Sequence, residues 1–115
     1  MHELSIAISI VEVAEEELGA RSGATIQAVH LKLGRLSGVS KEALESCFEM
    51  ACSDSPIAGS RLIIEDIPVT IHCPNCAELR CLDSIQFLRC PVCGVPVSNI
   101  VSGKELEVVA LEILE

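Results

Sequence analysis

Two Cys-x-x-Cys pairs, thirteen residues apart, constrain the fold of this chain more than any other feature. The first pair is Cys73 and Cys76, and the second is Cys90 and Cys93, followed by Gly94. Each pair places two sulfurs on one side of a tight turn, where both can reach one ion at ~2.3 Å. A glycine after the last cysteine admits the left-handed backbone of such a turn. The four sulfurs can form the tetrahedron that structural zinc prefers, so we predict a zinc site here.

Redox-active thiols, unrelated buried cysteines and iron are the alternatives for these two pairs. A dithiol enzyme needs one Cys-x-x-Cys pair in a thioredoxin-like context, which leaves a second matched pair unexplained. Iron centres of the rubredoxin type are usually enclosed by aromatic residues, whereas Phe87 is the only aromatic residue near the pairs. Four thiolates leave no open coordination position, so we expect a structural zinc rather than a hydrolytic one. Such a centre carries net negative charge, and Arg80 and Arg89 are the nearest candidates in the sequence to offset it.

Three further cysteines and one histidine stand outside the two pairs. Cys47 and Cys52 fall on the apolar stripe of a predicted helix, so we expect them to be core residues. Cys81 lies between the pairs and is a reactive thiol, an alternative ligand or a spare loop cysteine. His72 adjoins Cys73 and either tunes the zinc site or is a simple exposed histidine. The sequence leaves the roles of Cys81 and His72 open.

The remaining residues predict a small domain of helices and strands. Apolar residues at helical spacing predict a first helix that ends near Gly19 or Gly23. Its predicted buried stripe is Leu4, Ala7, Ile8, Val11, Ala14 and Leu18. Ser40 is the predicted N-cap of a second helix. Alternating apolar residues predict three strands, at Thr25–Leu33, Arg61–Ile67 and Glu105–Leu114. The last of these is apolar on both faces, so we expect it at the centre of the sheet.

The cysteine-rich segment has little periodicity and separates the second and third predicted strands. We therefore predict an α+β fold: a small mixed sheet of about three strands with two helices, plus an inserted four-cysteine zinc-ribbon-like subdomain. The predicted boundaries are residues 1–70 with 98–115 for a discontinuous α/β domain, and residues 71–97 for the zinc-binding subdomain.

The charge of the chain narrows the classes of partner. The 115 residues include 8 Lys and Arg against 17 Asp and Glu, a net charge of −9. Such an acidic chain is poorly suited to nucleic acid or to anionic membrane surfaces, so we expect neither as a partner. No signal peptide is visible after Met1, and no apolar run approaches the ~20 residues of a membrane span. Seven cysteines in an unexported chain indicate thiols and metal, and the expected compartment is the cytoplasm.

The N-terminus places three nitrogens in chelating order if its amine is free. The amine of Met1, the amide of His2 and the His2 imidazole close fused rings around one ion, and the amide of Glu3 can complete a square. Square-planar nitrogen sites suit Ni(II) or Cu(II). Any chain that begins Met-His has this arrangement, so the residues alone leave its role open. The remaining histidine, His30, has no evident Cys or Ser partner, and we expect no catalysis.

Several short segments occur in an order that is typical of one known family. They are Met1–Ser5, Leu33–Val39, Phe48-Glu49, both cysteine pairs, Gly103–Leu106 and Leu111–Ile113. Through them, essentially the whole chain resembles the HypA/HybF nickel-insertion proteins of hydrogenase maturation. Cys81 departs from the family pattern.

This resemblance implies a nickel metallochaperone whose α/β domain binds Ni(II) through His2, supported by backbone nitrogens and Glu3. It implies structural Zn²⁺ on the two cysteine pairs. The partners it implies are a HypB-type GTPase and the large subunit of nickel–iron hydrogenase, and some members of the family also serve urease. The chain would act as a monomer or homodimer. The alternative is a zinc-ribbon adaptor that binds protein or nucleic acid without a nickel role, and the acidic charge weighs against nucleic acid.

Overall fold

A computed structural model describes residues 2–83 and 85–115. Its elements, in chain order, are α1 (Glu3–Gly19), β1 (Thr25–Gly34), α2 (Lys41–Cys52), β2 (Arg61–Ile67), β3 (Val69–Cys73), β4 (Glu78–Leu82), β5 (Ile100–Ser102) and β6 (Leu106–Leu114). The strands form two three-stranded sheets, with strand orders β2-β1-β6 and β4-β3-β5. The predicted α+β fold, with two helices, small sheets and a four-cysteine cluster, is confirmed.

The chain divides into two compact units. The first contains the residues up to Lys32, Val39–Glu65 and Glu107–Glu115, and the second contains Leu33–Gly38 and Asp66–Leu106. The boundaries predicted from the sequence, 70/71 and 97/98, fall inside the second unit. No helix in the described part of the chain is long and apolar enough to cross a membrane.

Helix α1 packs into the first unit through one apolar stripe. Its buried residues are Ala7, Ile10, Val11 and Ala14, and the helix ends at Gly19 as predicted. Leu4 and Ile8, which the sequence placed on this stripe, are 46% and 44% exposed. The prediction was wrong for these two residues because the buried face is centred on Ile10 and Val11, which leaves Leu4 and Ile8 at its margin.

Helix α2 begins where its sequence predicts. The Ser40 hydroxyl accepts a hydrogen bond from the Ala43 amide at 3.3 Å, which confirms the N-cap. Phe48 and Cys52 are buried in the core of the first unit, and the half-buried Cys47 packs against the same core. The prediction that Cys47 and Cys52 are core residues is therefore confirmed.

Strand β1, and not β6, is the central strand of the first sheet. Ile26, Val29 and Leu31 of β1 are all buried in the core of the first unit. The prediction of a central C-terminal strand was wrong, because part of the apolar surface of β6 stays open to solvent. Val109 of β6 is 47% exposed, and β6 lies at the edge of the sheet.

The second sheet was not predicted. Strand β3 pairs antiparallel with both β4 and β5. Val69, Ile71 and Cys73 alternate along β3 and are fully buried. They form the core of the second unit together with Leu82, Cys90 and Val97. Two cysteines of the predicted metal site are thus also core residues of this unit.

Candidate functional site

The first cysteine pair lies in the turn between two antiparallel strands. Cys73 is the last residue of β3 and pairs with Glu78, the first residue of β4. The Cys76 amide donates a hydrogen bond to the Cys73 sulfur at 3.3 Å. Ala77 has a φ of 56°, in the left-handed region. A non-glycine residue in this region has a conformational energy about 1–2 kcal/mol higher than in the right-handed region. Ala77 is therefore in a strained conformation directly before β4.

The second pair lies in a short hairpin-like loop. Arg89 and Pro96 form a β-bridge, and inside it the Cys90 amide donates to the Val95 carbonyl at 3.0 Å. The Gly94 amide donates to the Cys90 carbonyl at 2.8 Å, and Gly94 has a φ of 77°. Both turns therefore place a left-handed residue directly after their second cysteine, and the sequence identified only the glycine.

The four sulfurs of these pairs converge on one point. All four lie within 4.8 Å of one another. The sulfurs of Cys73 and Cys93 are 3.5 Å apart, and those of Cys76 and Cys90 are 3.9 Å apart. A tetrahedral ion with bonds of ~2.3 Å would separate its sulfurs by about 3.8 Å. The group therefore has the size and the donor atoms to hold a four-coordinate ion such as zinc.

Backbone amides favour the thiolate form of two of these cysteines. The Cys93 and Val92 amides stabilise the Cys90 thiolate and lower its pKa to about 6. The pKa of Cys93 is also lowered, chiefly by the Val95 amide. Thiolates are the form that binds metal, so the turns prepare part of the ligand set before an ion arrives.

Cys76 behaves differently from the other thiols. Arg80 acts to lower its pKa, but the hydrogen bond with Cys93, burial and the bonds with Cys73 and Cys90 outweigh this effect. They raise the pKa of Cys76 to about 11. These interactions favour the protonated form of Cys76.

Arg80 is the cation that the structure places at this cluster. The Cys76 and Cys90 side chains have the largest effect on its guanidinium, and they raise the pKa of Arg80. Its Nη1 also donates to Glu78 at 2.7 Å. Arg89, the other cation that the sequence offered, is exposed. Sequence distance alone did not separate the two, because the pairing of β3 with β4 decides which arginine lies beside the sulfurs.

Three further residues, Cys81, His72 and His30, lie apart from this group. Among the described residues, the four cysteines form the one cluster of three or more potential metal ligands. Cys81 is exposed on β4 opposite Thr70, and His72 is half-buried opposite Leu79. His30 lies 2.6 Å from the Glu112 carboxylate, a pairing that the sequence analysis missed.

The second predicted site begins at the exposed residue His2. His2 is the N-cap of α1, and within the described residues its side chain makes no capping hydrogen bond. Its carbonyl accepts from the Ile6 amide at 3.2 Å, the first hydrogen bond of the helix. The imidazole is thus not used by the helix. Met1, whose amine completes the predicted chelate, lies outside the described residues.

Glu3 has a structural contact that the sequence analysis did not anticipate. Its carboxylate accepts a hydrogen bond from the Ser40 amide at 3.1 Å, and this bond lowers its pKa. The contact ties the beginning of α1 to the N-cap of α2, where a negative charge also suits the helix dipole. The prediction of Ser40 as an N-cap could have indicated that its amide needs an acceptor, but the sequence does not show which acidic residue accepts that hydrogen bond.

Comparisons with known proteins find similarity over nearly the whole length of this chain. A family profile described as "Hydrogenase/urease nickel incorporation, metallochaperone, hypA" matches residues 1–113. The "Hydrogenase maturation factor HypA" of Chloroflexus aurantiacus is 46% identical over 97% of this chain and 98% of its own. The protein of the same name from Roseiflexus is 44% identical over 97% and 91%.

Two solved structures have the same architecture. The solution structure of the Ni metallochaperone HypA from Helicobacter pylori has a TM-score of 0.66 and 26% sequence identity, and the match covers 99% of this chain and 98% of that one. A second solution structure, of a HypA protein, has a TM-score of 0.71 and 26% identity, over 99% and 97%.

Proposed function

Because this chain belongs to the HypA family of hydrogenase maturation factors and nickel metallochaperones, we propose that it binds Ni(II) at its N-terminus and helps insert the ion into nickel–iron hydrogenase. The observation that carries the proposal is the family match over residues 1–113, which includes both His2 and the two cysteine pairs. The named relatives are maturation factors and metallochaperones, which fits a metal carrier without catalysis.

The proposed nickel ligands are the Met1 amine, the His2 amide and imidazole, and the Glu3 amide. The exposure of His2 supports this assignment, as does its position before the first hydrogen bond of α1. Since the Glu3 carboxylate already accepts from Ser40, we assign Glu3 a backbone role. Nitrogen ligands in a plane suit Ni(II). An exposed site at a chain end also gives an acceptor protein direct access to the ion.

The proposed role of the four-cysteine group is to hold Zn²⁺ as part of the fold. The sulfur separations of 3.5 and 3.9 Å support four thiolate ligands for one ion. Four thiolates close the coordination shell, so this ion has no position for a substrate. We therefore assign the two metals different roles, with zinc retained and nickel transferred.

The proposed partners are those of a maturation pathway. A HypB-type GTPase and the hydrogenase large subunit would exchange nickel with the chain, and urease is a further candidate recipient. The net charge of −9 favours a cationic cargo and basic partner surfaces over nucleic acid. Seven free cysteines fit a reducing compartment, so the cytoplasm remains the predicted location.

Nickel titration of the untagged protein tests this proposal. The His2→Ala variant, and a variant with two residues added before Met1, should both lose specific Ni(II) binding and hydrogenase maturation. The reason is that the first removes the imidazole and the second turns the amine into a peptide nitrogen. A His30→Ala variant is the control, and it should bind nickel normally. Zinc content and thermal unfolding should stay unchanged in all three variants.

The pH dependence gives a second criterion. Protons compete with nickel for the nitrogen ligands, so nickel affinity should fall as the pH is lowered. Equal nickel affinity in the extended and native proteins would contradict the N-terminal site.

A further inference from the structure

Helix α1 exposes two large apolar side chains close to the proposed nickel site. Leu4 is 46% exposed and Ile8 is 44% exposed. The two residues are four positions apart, so they lie on one face of the helix, one turn from each other. At a rise of ~1.5 Å per residue, Ile8 lies roughly 9 Å along the helix axis from the N-cap His2. A partner that covered Ile8 would therefore also reach the proposed nickel ligands.

Ile8 also lines a groove between α1 and the C-terminal end of α2. The groove has a volume of about 240 Å³, and its apolar wall consists of Ile8, Val11 and Ala51. Val11 is buried in the core of the first unit and Ala51 packs against that core, so this wall is fixed by packing. Pockets for small molecules usually measure about 300–1,000 Å³. The smaller groove is better suited to one or two apolar side chains of a protein.

The rim of this groove is acidic. Glu12, Glu15 and Asp54 line it, and its described lining residues include no Lys or Arg. The Ser55 hydroxyl donates a hydrogen bond to the Glu15 carboxylate at 2.9 Å, which holds Glu15 at the groove. Glu12 and Asp54 are exposed, so their carboxylates can meet cations of a partner. An apolar centre with an acidic rim is complementary to an apolar segment that is flanked by Lys or Arg.

We propose that the α1–α2 groove, together with Leu4, is the docking surface for the protein that accepts nickel from this chain, and that this acceptor contributes an apolar segment flanked by Lys or Arg. A standard protein interface covers about 800 Å² on each partner, which is roughly 30 Å across. An interface centred on Ile8 would include His2, so docking would bring the acceptor to the ion. This inference rests on the N-terminal nickel site of the proposed function and on the hydrogenase large subunit as the recipient.

The test compares the native full chain with two variants of the surface, Ile8→Ser and Glu12→Lys, and with two controls, Val13→Ser and Glu16→Lys. Val13 is 50% exposed on the same helix, and Val13 and Glu16 line a separate groove between α1 and β6. Each control therefore repeats the loss of an apolar side chain, or the reversal of a charge, on another face of α1. Binding of each nickel-free chain to immobilised, nickel-free hydrogenase large subunit is measured by biolayer interferometry at about 50 and about 300 mM salt. The nickel affinity of each chain is measured separately.

The Ile8→Ser variant should bind the large subunit roughly tenfold more weakly than the native chain at both salt concentrations, since a central apolar contact is lost. Glu12→Lys should weaken binding by a similar factor at low salt and by less at high salt, because salt screens the repulsion between like charges. Both controls should bind within about twofold of the native chain, and all four variants should keep the native nickel affinity. Native binding by Ile8→Ser and Glu12→Lys would overturn the proposal.

Further outcomes separate the possible failures. If the native chain binds no nickel, the proposed function is wrong, and the assignment of the partner as an acceptor fails with it. If the native chain binds nickel but not the large subunit, or if the surface variants lose binding only to the HypB-type GTPase, the docking proposal alone is overturned. If Ile8→Ser lowers the helical circular dichroism signal, Glu12→Lys decides, because its side chain is exposed: weaker binding at low salt supports the proposal, and native binding overturns it.

Discussion

Gly34 should tolerate no side chain, because two stretches of backbone meet at this residue. A Cβ atom at position 34 would lie 2.1 Å from the Gly103 carbonyl oxygen and 2.7 Å from the Glu105 nitrogen. Both are backbone atoms, so neither can rotate away. The two stretches are also joined by hydrogen bonds, from the Gly34 amide to the Glu105 carbonyl at 2.8 Å and from the Leu36 amide to the Gly103 carbonyl at 2.6 Å.

The cost of Gly34→Ala follows from these contacts. To reach an ordinary carbon contact of about 3.5 Å, the backbones must separate by roughly 1 Å or more. Such a movement breaks both hydrogen bonds, at a cost of about 1–3 kcal/mol for each bond. We therefore expect Gly34→Ala to lower the free energy of unfolding of the second unit by about 3–4 kcal/mol.

Two other glycines provide matched controls for this substitution. Gly59 has a φ of 89° with open space around it, so Gly59→Ala meets only backbone strain and should cost about 1 kcal/mol. Gly19 is the last residue of α1 and also faces open space, so Gly19→Ala should be neutral or stabilising by about 0.5–1 kcal/mol. The three substitutions thus separate a steric clash from strain and from helix propensity.

Urea titration of the zinc-loaded variants measures these differences. Circular dichroism follows both units, and cobalt absorption in parallel samples follows the second unit, where Gly34 lies. Gly34→Ala should lower the midpoint of the cobalt signal and reduce metal loading. If the free energy of unfolding of Gly34→Ala lay within about 1 kcal/mol of that of Gly59→Ala, the close backbone approach at Gly34 would be refuted.

Three further predictions concern the thiols. Elemental analysis should show that Cys90→Ser loses zinc, whereas Cys81→Ser should keep it because Cys81 lies outside the cluster. Full zinc content in Cys90→Ser would contradict the assignment of the zinc site. Cys52→Ala should cost of order 1 kcal/mol in urea unfolding without change in metal content, and zinc loss would contradict its core role. The folded-state pKa of Cys90 is lowered to about 6, so the stabilisation by its thiolate is present above the ordinary thiol pKa and is lost as pH falls through 6. Bound zinc competes with the proton for this thiolate, so zinc content after dialysis at stepped pH should fall only below about pH 6, and full retention at about pH 4 would refute the argument.

The first unit was largely predictable because its signals are local. The Ser40 N-cap, the end of α1 at Gly19 and the Arg61–Ile67 strand depend on residues close together in sequence, and the structure has all three. The order of the strands is a tertiary property. Sequence alternation showed that β6 is a strand, but its apolar residues could not reveal that β1 lies between β2 and β6.

The second unit was less predictable because its strands are short and pair over long sequence distances. Strand β5 has three residues, and it pairs with β3 from about thirty positions away, with a register shift between Thr70 and Ile71. The spacing of the cysteines predicted which sulfurs converge, since ligand geometry is encoded locally. It could not predict which arginine faces them, because that depends on the register in which Arg80 lies opposite Ile71.

The burial of the two ligand sets explains how one chain could retain one metal and transfer another. Among the described residues, the core of the second unit has six buried side chains, and two of them are the proposed zinc ligands Cys73 and Cys90. An apolar core of this size is too small to stabilise a fold alone, so metal binding to these cysteines should be coupled to the folding of the unit. Release of zinc would then require the unit to open. Within the part of the chain that the structure describes, the core of the first unit has eleven buried side chains, and His2 is not among them. A nickel ion held at His2 could therefore leave without disturbing any packed residue, which is the property that a metal donor needs.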